Sequence, residues 1–101
     1  LLHLRIRRPF SATVSLRAEG TDLETLDEIA VQRVYQPVVG HVRGCRRVLD
    51  VGANIGLSAL YFANAYPDAH VAAVEPWPDT HALMARNLRA NLPETRFACV
   101  P

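Results

Sequence analysis

Two carboxylates and two glycines concentrate the chemistry of this chain: Asp50, Gly52, Gly56 and Glu75. Three of them lie in Asp50-Val-Gly-Ala-Asn-Ile-Gly56, directly after the apolar pair Val48-Leu49. Glycines between a strand and a helix let the backbone turn sharply and let a ligand touch the main chain. A helix starting beyond Gly56 presents unpaired amides. Glu75 stands 23 residues after Gly52, at the tip of the next apolar run, where a carboxylate can accept both hydroxyls of a ribose. This is the spacing of a nucleotide site.

Charge decides which nucleotide. A dinucleotide-binding turn reads G-x-G-x-x-G and lays a pyrophosphate on the helix N-terminus. Here the glycines read G-x-x-x-G, and Asp50 stands two residues before the first of them. An anion there opposes a pyrophosphate by roughly 1 to 4 kcal/mol at contact range, depending on the effective dielectric. The same anion suits S-adenosylmethionine, whose methionine end carries an ammonium and a sulfonium. Two alternatives stay open: an NAD-dependent Rossmann oxidoreductase and a non-catalytic cofactor-binding remnant. Cofactor titration separates the first from a methyltransferase, and the length of the natural reading frame tests the second.

The elements that must position these groups follow from periodicity. Val48–Val51 and Val71–Val74 are short apolar runs suited to buried parallel strands, and Arg96–Val100 is a third. Between them, Ile55–Tyr66 reads as a helix apolar nearly all round, closed by Pro67. A second helix opens at Pro78, with Leu83, Met84, Leu88 and Leu92 facing a core and Arg86 and Arg89 facing out. Residues 47–101 therefore spell β-α-β-α-β, the first half of a cofactor-binding domain on a parallel sheet. Residues 1–46 form a lead-in. Leu2–Arg7 and Phe10–Ala18 alternate apolar and polar residues around Pro9, as two short strands of a hairpin do. Glu19-Gly20 signals a turn, and Thr21-Asp-Leu-Glu24 a capping box. The helix it opens carries Leu23, Leu26, Ile29, Ala30 and Val34 and ends before Pro37, with an irregular stretch from Gly40 to Arg47.

The chain has 101 residues, enough for one small domain. Half of them are apolar and 21% are charged, too apolar for a disordered chain. A net charge of +1 gives no basic field for nucleic acid. All eleven basic residues are arginine, which reads as a compositional bias. Arg5, Arg7 and Arg8, with Arg43, Arg46 and Arg47, read as solvated surface. Cys45 and Cys99 are too few for a disulfide framework or zinc site, which favours a reduced, cytoplasmic setting. The apolar run Ala59–Ala63 falls far short of the ~20 residues a membrane helix needs.

The same residues resemble a family. Val-Leu-Asp-Val-Gly-Ala-Asn-Ile-Gly-Leu-Ser (48–58), Val-Glu-Pro-Trp-Pro (74–78) and Leu-Met-Ala-Arg-Asn-Leu-Arg-Ala-Asn (83–91) are similar to the FkbM family of class I methyltransferases. Gly20-Thr-Asp-Leu and Tyr35 are similar to that family's lead-in, so the likeness spans about residues 20 to 100. The resemblance implies a Rossmann-like fold and methyl transfer to hydroxyl oxygens of sugars, macrolides and related metabolites, with a small-molecule or glycan acceptor. It implies that Gly52 and Gly56 shape the turn, that Asp50 orients the methionine end, and that Glu75 holds the ribose. Asn54 replaces a glycine of the broader class; asparagine tolerates left-handed geometry. Trp77 is a candidate face for the adenine, though the family varies there. A complete sheet of this class has the order 3-2-1-4-5-7-6, and this sequence ends after strand 3. The expectation is a donor-site fragment, inactive alone and prone to self-association through strand 1's open edge.

Other polar residues read as structural. Ser58 is expected to bond locally, Asn87 and Asn91 to bond loop backbone, and His41, His70 and His81 to be surface or satisfied histidines.

Overall fold

The structure, a computed structural model, describes residues 1–101. It is a small α/β domain with two sheets. Leu2–Ile6 (β1) and Ala12–Leu16 (β2) form an antiparallel pair, with Leu2 opposite Leu16 and Ile6 opposite Ala12. Asp22–Ala30 (α1) and Gln36–His41 (α2) follow. Then come Arg47–Val51 (β3), Leu57–Ala65 (α3), His70–Val74 (β4), Pro78–Asn91 (α4) and Phe97–Val100 (β5). The three later strands are parallel in the order β3-β4-β5, so β3 stands at one edge.

Register explains how the parallel sheet divides its faces. Val48, Val71 and Phe97 form one row, and Asp50, Ala73 and Cys99 the next. These rows lie on the side where Val71, Ala73 and Phe97 are buried, and α3 and α4 pack on the sheet. The alternating rows are Leu49-Ala72-Ala98 and Val51-Val74-Val100. There Leu49 is 69% exposed and Val51 73%, so this face is bare. Burial also pushes the Cys99 thiol's pKa up, as expected of a small hydrophobe on the covered side.

One core joins the lead-in to the parallel unit. Ala12, Val14 and Leu16 of β2 bury in the same cluster as Leu57 and Leu60 of α3 and Met84 and Leu88 of α4. Fully burying a leucine or methionine is worth about 1.5–3 kcal/mol, so this shared core outweighs any single polar contact. Arg96, in the short 3-10 turn Glu94–Arg96, closes the far end of α3. Its guanidinium donates to the carbonyls of Ala63, Tyr66 and Ala69 at 2.8–3.1 Å. A cation there complements the helix dipole and its orphan carbonyls.

Three sequence expectations are corrected. The capping box does not form: Thr21 precedes α1, but neither its hydroxyl nor Glu24 caps the helix. Asp22 is instead drawn wholly inside, where it holds Arg17. The stripe expected on α1 is not buried as a whole, since Leu23 and Val34 are exposed and only Ile29 is fully covered. Nor is the chain irregular from Gly40: α1 ends before Pro37, as expected, but a second helix, α2, then runs on to His41. Pro37 sits in its first turn, where a missing N–H costs nothing.

Candidate functional site

The turn after β3 is shaped by three left-handed residues, Gly52 (φ 75°), Asn54 (φ 53°) and Gly56 (φ 93°). Between them Ala53 and Ile55 bury their side chains, anchoring the loop to the core. Gly52 and Ala53 both donate backbone N–H groups to the Val74 carbonyl at 2.9 Å. A Cβ built on Gly52 would meet nothing within 4 Å, so the main chain there is open to a ligand. At Gly56 the same atom would lie 3.4 Å from Met84 Cγ and 3.6 Å from Leu88. That glycine serves both the turn and the close seat of α3 on α4.

Glu75 closes the loop. It is only 6% exposed, and its Oε1 accepts the Asn54 N–H at 3.0 Å. Its Oε2 accepts the Trp77 N–H at 3.1 Å. A carboxylate has about four lone-pair sites, so two amides leave capacity for two hydroxyl donors. Asp50, two residues below Gly52, accepts from the Ser58 hydroxyl through Oδ2 at 2.5 Å. This is the local bond expected of Ser58, and it leaves Asp50 Oδ1 unengaged. Trp77 sits at the start of α4 with 74% of its surface exposed. The structure therefore brings Asp50, Gly52, Asn54, Gly56 and Glu75 to one end of the parallel strands, with Trp77 on the rim.

The two asparagines of the 83–91 motif stand behind the site. Asn87 is 1% exposed and makes three good bonds: Oδ1 accepts the Ser15 N–H, while Nδ2 donates to the carbonyls of Ser15 and Ile55, all at 2.8–3.0 Å. It joins β2 to the glycine turn. Asn91 likewise accepts from Thr13 N–H and donates to Thr13 and Asn87 carbonyls. Both asparagines are structural, as expected, but their main partner is a strand edge. Arg17 gave no signal. Its guanidinium reaches Asp22 through Nε and Nη2, Thr80 through Nη1, and Asn54 Oδ1 at a long 3.4 Å.

Charge and burial act on this hub in opposite senses. Burial pushes the Asp22 carboxyl up, but hydrogen bonds from the Arg17 side chain and backbone N–H, with its charge, hold it below the ordinary range. The hydrogen bond with Asp22 raises Arg17's pKa, and Glu75 and Asp79 add to that. The histidines divide. His70 is exposed and His41 bonds the Pro37 carbonyl, while His81 Nε2 is buried without a partner, against the expectation of a satisfied ring. No cluster of three or more His, Cys, Asp or Glu could hold a metal. No helix is long and apolar enough to cross a membrane.

A strand, a positive-φ turn closed by a buried glutamate, and a following helix make up the candidate site of a small α/β domain. The chain is similar to "Methyltransferase sdnD" of Sordaria araneosa, with 46% identity over 83 residues, covering 75% of this chain and 32% of that protein. It is also similar to "AMB antimetabolite synthetase AmbE" of Pseudomonas aeruginosa, 56% identical over 45 residues, which is 45% of this chain and 2% of the relative. The chain thus spans about a third of the first relative's length and a small part of the second's. No family model matches it, and no solved structure does. The likeness supports a methyltransferase in general terms.

Proposed function

We propose that this chain carries the donor site of an S-adenosylmethionine-dependent methyltransferase of the FkbM type, acting on a hydroxyl of a small molecule or glycan. The observation that carries the reading is the glutamate-closed turn: Glu75 holding the Asn54 amide while Gly52 stays uncovered. The residues fit the cofactor's chemistry. Asp50 keeps one carboxylate oxygen for an ammonium, and Glu75 keeps lone pairs for the ribose hydroxyls. Trp77 offers an open aromatic face for the adenine. Bound S-adenosylmethionine supplies an electrophilic methyl on a sulfonium, and transfer then needs an acceptor oxygen held in line at ~3 Å.

The test is cofactor binding by calorimetry in the full-length protein. Glu75→Ala removes charge-assisted bonds worth roughly 1.5 to 3 kcal/mol each, so S-adenosylhomocysteine affinity should fall at least tenfold. An affinity unchanged within twofold removes Glu75 from the site. Asp50 should also exclude a pyrophosphate, so NAD binding of comparable strength would favour the oxidoreductase reading instead.

A further inference from the structure

A second concave site lies away from the glycine turn, between the β1–β2 connection, the start of α2 and the far half of α3. Its volume is about 430 Å³, within the range of small-molecule pockets. From Leu57 to Ala65 a helix advances about 12 Å, which sets this cleft apart from the donor loop. Phe10 and Tyr61 make the floor, their rings edge-on at 5.9 Å and both buried. Arg7, Arg33, Gln36 and Ser11 stand around the mouth.

Three features give this cleft one chemical sense. No acidic side chain lines it. The chain's one ion pair joins Arg17 to Asp22, so neither Arg7 nor Arg33 has a carboxylate within 4.0 Å. Tyr61, 8% exposed, lines the cleft, and its hydroxyl has no hydrogen-bond partner in the protein. Arg33 is moreover held at φ 55°, a left-handed conformation that a non-glycine residue adopts only at a cost. Two unpaired guanidiniums and a free phenol over an aromatic floor are donors without acceptors. We propose that this cleft binds a small organic anion, with a carboxylate or phosphate head between Arg7 and Arg33 and an apolar body on Phe10 and Tyr61. Planar guanidiniums match both oxyanions, and a concave surface of one sign focuses their attraction.

The experiment titrates the full-length protein with phenyl phosphate and, separately, with phenylacetate, by calorimetry. Saturable binding of either probe is expected, and the tighter one identifies the head group. Arg33→Gly is the sharpest variant, because glycine occupies a left-handed position without strain. Its melting temperature should equal or exceed the wild type's, while losing one charge-assisted contact should weaken the probe about tenfold. Tyr61→Phe keeps the ring packing and should weaken it about threefold. No saturable binding of either probe up to about 10 mM, weaker than any useful site, overturns the proposal. So does an Arg33→Gly protein that binds as tightly as the wild type.

Discussion

Along β2, the edge that faces away from β1 is closed at every second residue. The N–H groups of Ser11, Thr13, Ser15 and Arg17 donate to side-chain oxygens of Asn64, Asn91, Asn87 and Asp22. Along β3, the edge away from β4 has no partner strand, and Leu49 and Val51 stand exposed on the adjoining face. The difference teaches how a sheet can end. An asparagine amide offers an acceptor and a donor together, so Asn87 and Asn91 imitate the peptide groups of a missing strand. An edge closed this way needs no further polypeptide; an edge left as bare backbone beside apolar side chains is a template for one.

Breaking the closed edge should have the largest effect. Asn87→Ala strands the Ser15 N–H and the carbonyls of Ser15 and Ile55 in the interior, at about 1–3 kcal/mol for each group left unsatisfied. Urea unfolding should show a loss of about 3 kcal/mol or more, and cofactor affinity should fall with it as the Ile55 turn loosens. A loss under about 1 kcal/mol would mean that β2 needs no closure.

Asp22→Ala comes next. It frees Arg17's backbone N–H and its guanidinium, but Arg17 is 39% exposed and can turn to water, so about 1–2 kcal/mol is expected. The same pair predicts an acid response. Because the folded-state pKa of Asp22 is depressed, its contribution is complete above the unfolded carboxyl's value and is lost as pH falls below about 4. Unfolding curves taken from pH 7 to pH 3 should steepen in that window for the wild type and flatten for Asp22→Ala. Identical slopes would detach Asp22 from the closure.

At the exposed end of the same edge, Asn91→Ala should cost only about 1 kcal/mol, since water can replace its bonds to Thr13. The open edge should answer differently in kind. We propose that residues 1–101 by themselves self-associate through β3. Leu49→Lys with Val51→Lys should leave folding within about 0.5 kcal/mol, because both side chains are already exposed. Sedimentation should show the lysine variant shifted toward monomer. Equal association of both proteins would move the contact elsewhere.

Much of the site could be read directly from residue order. The Asp50–Gly56 turn and the position of Glu75 depend on local backbone needs, glycines and an asparagine at positive φ and a carboxylate at a strand tip, and those needs are written in adjacent residues. The parallel strands likewise follow from short apolar runs. The N-terminal half was less legible. The Thr21–Glu24 box is a local signal that the structure does not use; the residue inside it that finds a partner is Asp22, which turns inward to Arg17. The first helix ends before Pro37, as its pattern says, but that proline also sits in the first turn of a second, short helix that the residues around Gly40 did not announce.

By itself the sequence determined what short-range chemistry can determine: the strand-turn-helix order, the left-handed loop positions and the place of Asp50 and Glu75 at the strand ends. Only the tertiary structure decided which polar groups meet across distance. Asn87 and Ser15 are 72 residues apart, and Arg17 and Thr80 are 63. Their pairing comes from packing β2 against α4 in one core, where the hydrophobic effect fixes the approach and says nothing in advance about which amides will be left facing each other.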